Sequence, residues 1–142
     1  MIKVIKNGTV ITMDPKREKV EKLDIVIKDN IIIDITDNYC GDYDELIDAK
    51  GKIVMPGLIN AHTHLGMSIF RATNDSLKLQ DWLTLKIWPI EDKLTNDDLN
   101  YSPLLSCIEM IKSGTTTSND MYFNCDGSLK ALRETKVRCL FG

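Results

Sequence analysis

Short runs of β-branched residues, broken by turn dipeptides, fill the first 55 positions of this 142-residue chain. Ile2–Lys6 and Thr9–Thr12 flank Asn7-Gly8, a pair that predicts a tight hairpin. Asp24–Lys28 and Ile31–Thr36 flank Asp29-Asn30 and predict a second one. Between them Asp14–Lys22 is charged and carries Pro15, so a surface loop is expected. Tyr39–Glu45 reads as another loop, followed by short strands near Leu46–Asp48 and Lys52–Met55. The sum is a small antiparallel sheet, about half of it exposed.

From residue 56 the rhythm becomes strand, helix, strand, helix, strand. Leu58–His64 is short and apolar and predicts a buried strand. A helix over Leu79–Ile87 is expected to stop before Pro89. Thr95 can cap the next helix, whose first turn holds Asp97 and Asp98 and whose end falls at Ser113-Gly114. Pro103 removes a hydrogen bond inside that helix, so a bend or restart is expected there. Thr115–Met121 and Val137–Phe141 complete the strands, with a helix over Gly127–Thr135 between them. Strands alternating with helices predict an α/β fold with a parallel sheet.

His62 and His64 are the only histidines in the chain. Two histidines scattered at random over such a length fall two apart roughly once in seventy, so the spacing carries information. Residues two apart on a strand share a face, which would aim both imidazoles the same way. They can then bind one metal ion through neutral nitrogens, or stand as two hydrogen-bonded core histidines.

Charge changes the picture by exclusion. Lys and Arg total 18 against 21 Asp and Glu, with no basic stripe, which argues against a nucleic-acid partner. No run approaches membrane-spanning length, and Met1–Gly8 alternates lysine with apolar residues rather than forming a leader, so a cytoplasmic protein is expected. Cys40, Cys107, Cys125 and Cys139 are widely spaced, which predicts neither a disulfide framework nor a thiolate metal site. Cys107 and Cys139 sit among apolar residues and read as core.

The string Asp48-Ala49-Lys50-Gly51-Lys52-Ile53-Val54-Met55-Pro56-Gly57-Leu58-Ile59-Asn60-Ala61-His62-Thr63-His64 resembles the amidohydrolase superfamily. So do Trp82-Leu83, Trp88-Pro89-Ile90-Glu91, Ser113-Gly114-Thr115-Thr116-Thr117 and Asp120-Met121-Tyr122-Phe123. Those proteins are metal-dependent hydrolases built on a (β/α)8 TIM barrel with a small β-sandwich. Within the superfamily these motifs look most like the 5′-methylthioadenosine/S-adenosylhomocysteine deaminases and their chlorohydrolase-like relatives.

The resemblance implies that residues 1–55 are part of the β-sandwich and residues 56–142 the first two to three β/α units of an incomplete barrel. It implies that His62 and His64 are the first two ligands of Zn2+, with Fe2+ or Mn2+ as alternatives. Glu91 would match the carboxylate that binds ribose hydroxyls, and Trp82 an aromatic lining the nucleoside pocket. Read without the family, Glu91 is a solvated glutamate and both tryptophans are core residues; Trp88 keeps that reading. Asp120 would orient a histidine or cap the adjoining turn, Met67 would pack or touch substrate, and Arg71 is unassigned.

The implied reaction is attack of metal-activated water at C6 of an adenine nucleoside. No complete catalytic set is present, because the family's later histidine, glutamate and aspartate positions find no match in this chain. An amino-terminal fragment, inactive alone, is therefore expected. Alternatives are another amidohydrolase of the guanine deaminase or triazine chlorohydrolase type, or a non-catalytic piece acting by association. The expected partners are a small purine nucleoside and further copies of the chain, through a homo-oligomer or exposed strand edges.

Overall fold

The computed structural model describes residues 1–16, 21–73, 76–123 and 125–142. It divides into two compact units, Met1–Pro56 and Gly57–Gly142.

The first unit is a five-stranded sheet built around β1 (Ile2–Val10). β2 (Glu21–Lys28) pairs with it antiparallel, and β3 (Ile31–Thr36) pairs antiparallel with β2. β4 (Glu45–Asp48) and β5 (Ile53–Val54) both pair with β1 in parallel, so the sheet is mixed rather than antiparallel as the sequence predicted. The expected turn at Asp29-Asn30 is present, with Lys28 opposite Ile31 and Asp29 at φ 57°.

The expected turn at Asn7-Gly8 is not. β1 runs straight through it as a bulge, with Ile5 opposite Ile25 and Gly8 opposite Leu23. Lys6 and Asn7 thus face the single residue Asp24, and Asn7 takes φ 63°. The physical reason lies on the other edge of β1. Its first half pairs with β4 and its second half with β5, and the bulge marks the change of partner. A Cβ on Gly8 would sit 2.6 Å from Val54 Cγ2, so only glycine admits the arriving strand. Part of the expected loop Asp14–Lys22 lies outside the described residues, and Glu21 and Lys22 belong to β2. Val10, Leu23 and Ile25 form the core, with Ile5, Ile27, Ile35 and Val54 against it.

The second unit is a parallel sheet of β6 (Leu58–Thr63), β7 (Thr115–Asp120) and β8 (Arg138–Phe141), in that order, making the chain an α/β protein as expected. A 3₁₀ turn, Leu65–Phe70, follows β6. Then comes a helical run: α1 (Leu79–Trp82), a π turn (Leu83–Ile87) and α2 (Trp88–Glu91). It does not stop before Pro89. A π turn shifts the hydrogen bonds to i→i+5, and a proline placed just past it enters the next turn near its start, where a missing N–H costs little.

Just before α3 (Asp98–Lys112) Thr95 Oγ1 accepts from Asp98 N–H at 3.2 Å, and Asp98 Oδ2 accepts from Thr95 N–H at 2.9 Å, but the residue at the cap is Asp97, expected in the first turn, rather than Thr95. The helix neither stops nor restarts at Pro103. Pro103 cannot donate to the Leu99 carbonyl, and the backbone of Gly127 closes over that oxygen, where a Cβ would stand at 2.0 Å. α4 (Cys125–Thr135) carries that glycine. Leu65, Cys107, Met110, Ala131, Leu132 and Val137 form the core, with Cys139 packed against it.

Candidate metal and nucleoside site

β6 and β7 end level with each other, Thr63 opposite Asp120, and the candidate residues gather beyond those ends. His62 is the second-last residue of β6, and His64 is the first residue past it. Their Nε2 atoms are 3.3 Å apart with the rings edge to face. Two ligand nitrogens about 2.0–2.1 Å from a tetrahedral ion stand about 3.3–3.4 Å apart, so this spacing fits one shared ion. His64 Nδ1 lies 2.5 Å from the Met121 carbonyl oxygen, which can only accept. The proton therefore sits on Nδ1, and Nε2 presents a lone pair.

Side chains lock this end of the sheet. Asp120 is fully buried, and its Oδ1 accepts from Leu65 N–H at 2.8 Å, fixing the chain directly after His64. Its Oδ2 has no partner among the described residues. Burial pushes the Asp120 carboxyl up, against the pull of the Leu65 N–H and the nearby His64. No third His, Cys, Asp or Glu joins the two histidines in a metal-holding group among the described residues.

Glu91 and Trp82 open onto different spaces. A cavity of about 230 Å³ is lined by Glu91, Trp88, Tyr122, Phe123, Met67 and His64, among others. A larger one, about 770 Å³, holds Trp82 with His62, His64, Met67 and Arg71. His64 and Met67 are the wall common to both. The Trp82 indole N–H is buried without a partner among the described residues. Trp88, expected in the core, is exposed and lines the smaller cavity. Arg71 makes a bidentate pair with Glu109 at 2.7 Å, which accounts for it without a ligand.

Tyr122 is the residue that sequence reasoning did not single out. Its hydroxyl donates to Glu91 Oε1, and its ring lies on Gly66, where a Cβ would meet it at 2.3 Å. Burial, and the Glu91 carboxylate that it bonds, push the Tyr122 phenol well above its usual range, so it is a permanent donor at neutral pH. The available signal was its place two residues past the end of a strand whose rim already carried the histidines.

The chain is 46% identical over 135 residues to 5′-deoxyadenosine deaminase of Methanosarcina mazei, a match covering 95% of this chain and 31% of that protein. It is 45% identical over 139 residues to 5-methylthioadenosine/S-adenosylhomocysteine deaminase of Acetivibrio thermocellus, covering 95% of this chain and 32% of that one. Its fold matches the crystal structure of an adenosine deaminase from Xanthomonas campestris with bound zinc. That match has a TM-score of 0.90 at 26% identity and covers 97% of this chain and 33% of the other. The chain thus spans about a third of the length of the curated relatives it matches. Residues 53–142, more than half of it, match the sequence profile of the Amidohydrolase family, and with the paired histidines at the head of that stretch the chain belongs to the amidohydrolase family.

Proposed function

We propose that the chain supplies the first part of a (β/α)8 barrel hydrolase that deaminates an adenine nucleoside of the 5′-deoxyadenosine or methylthioadenosine type. Residues 1–55 are then part of its β-sandwich. His62 and His64 hold the metal, taken as zinc, together with ligands outside this chain. When bound, the ion would supply Lewis acidity toward a water molecule, lowering its pKa so that it can attack the ring carbon that loses its amine.

The observation that carries this reading is the convergence of a carboxylate and a candidate metal ligand on one cavity. Glu91 stands at one side of the 230 Å³ space and His64 at another. Tyr122 holds Oε1 of Glu91, and the carboxylate can still accept from the hydroxyls of a vicinal diol. Met67 and Phe123 offer apolar surface between, suited to a purine face. Trp82 lines the adjoining space. Met121 sets the tautomer of His64 through its backbone.

The test is a comparison of substrates in the intact protein. Glu91→Ala should cut turnover of 5′-deoxyadenosine about a hundredfold and leave deamination of a free base nearly unchanged. Equal losses on both would defeat the nucleoside reading. The 142-residue chain by itself should bind little zinc and turn over nothing, because two ligands do not complete a site.

A further inference from the structure

The 3₁₀ turn Leu65–Phe70 follows His64 and carries Met67, the wall common to both cavities. Its two ends are anchored by apolar burial, Leu65 at 1% exposure and Phe70 at 4%. Between them Met67 and Ser68 are only half-buried, and Ile69 is exposed. A 3₁₀ turn also holds itself weakly, because the geometry of its i→i+3 bonds is poor.

α3 grips that middle with serines one helical turn apart. Ser102 is buried, and its hydroxyl accepts from Ile69 N–H at 3.0 Å and donates to the Gly66 carbonyl at 2.7 Å. Those are the donor and the acceptor, three residues apart, that one rung of a 3₁₀ turn joins. Ser106 Oγ donates to the Leu65 carbonyl at 3.0 Å and meets Ser68 Oγ, which itself lies 3.1 Å from the Ser102 carbonyl. A serine inside a helix commonly bonds back to its own preceding turn, whereas these two reach across to another segment. Their neighbours on the buried side of α3 are Leu99, Pro103, Cys107 and Met110, among which alanine would suit the helix better and bury no polar group. What the hydroxyls add is the hold on the turn.

We infer that Ser102 and Ser106 are positioning residues for substrate. By fixing Leu65, Gly66 and Ile69 around it, they set where the Met67 side chain stands as the wall shared by the histidine and Glu91 cavities. The inference rests on the nucleoside reading above. Met67 is unbranched and adaptable, so the backbone it hangs from decides its place. His64 is held separately, by Met121 and by Asp120 through Leu65, so the serines act on substrate binding rather than on the metal.

Steady-state kinetics of the intact protein on 5′-deoxyadenosine, with metal content measured alongside, test it. Ser102→Ala should raise KM about tenfold, with kcat and bound metal at the unmodified level. Ser102→Thr keeps the hydroxyl and should hold KM within about twofold of the unmodified protein. Met67→Ala should raise KM by a similar factor to Ser102→Ala. The double variant S102A/M67A should be no worse than Met67→Ala alone, because no side chain is left to misplace. If Ser102→Ala fails to fold, the half-buried Ser106→Ala enters the same cycle, with a KM rise of about threefold. A lower melting temperature with KM unchanged, or losses that simply add in the double variant, overturns the inference and leaves the nucleoside reading standing. No turnover of 5′-deoxyadenosine by the unmodified protein defeats that reading, and this inference with it.

Discussion

The two ends of the parallel sheet are closed by different means. At the start of the strands the closure is made by the backbone at and beside two glycines. Leu58 N–H donates to the Gly114 carbonyl at 2.9 Å, and Gly114 takes φ 81°. Gly57 lies so near Thr116 that a Cβ would stand 2.2 Å from its Cγ2. At the far end side chains add to a backbone bond from Met121 N–H to the Thr63 carbonyl: the Asp120 carboxylate on Leu65 N–H, and the His64 ring on the Met121 carbonyl. Backbone closure tolerates no change of shape, whereas side-chain closure leaves polar groups that face a ligand. Stability therefore belongs to one end and chemistry to the other, as in parallel α/β sheets generally.

Substitutions at each end can break this division. In the intact protein His64→Ala should remove most bound metal and lower turnover by more than about a hundredfold, beyond the loss from an orienting partner alone. Its melting temperature in chelator should hardly move; metal analysis beside thermal melts reads both. Gly57→Ala, at the other end, should cost about 1–3 kcal/mol in denaturant unfolding while metal content stays at the unmodified level. A metal loss there would erase the distinction. Tyr122→Phe sharpens it within the chemical end. Losing the donor to Glu91 should raise KM for a nucleoside about tenfold with kcat little changed. A loss in kcat alone would place Tyr122 elsewhere in the reaction. The smallest effect lies far from both ends, at the start of α3. Thr95→Ala should lower stability by the least of these, measured by urea unfolding. Hydrogen bonds from Thr95 hold the Asp98 carboxyl below its ordinary range, so this stabilisation is present above the usual carboxylate pKa and fades as pH falls through the lowered one. The stability gap between Thr95→Ala and the unmodified protein should narrow in acid.

Features set by local spacing were legible in the sequence. The two histidines two apart, the Thr95–Asp98 box and the Asp29-Asn30 turn each involve residues within a few positions of one another. Asn7-Gly8 carries an equally local signal and misled, because the approach of β5, some 45 residues later, decides its geometry. Pro89 misled for a local reason of another kind, since a π turn before it changes which N–H is needed. Glu91 was singled out from the Trp-Pro context, as part of a family resemblance. Its bond to Tyr122, 31 residues away, was not, because neither residue signals the other. Trp88 reached the cavity rather than the core for the same reason: the face that a helical turn presents depends on what packs against it.

The bond between His64 and Met121 joins residues 57 apart in the chain. During synthesis both histidines leave the ribosome long before Met121 is made, and the imidazole turns freely until β7 docks beside β6. Closing so long a loop is slow and entropically opposed, so the ring is oriented late in folding. If the two histidines hold an ion as proposed, that ion would act as a judge of finished structure: a chain that has not yet paired these two strands offers it no fixed nitrogen pair.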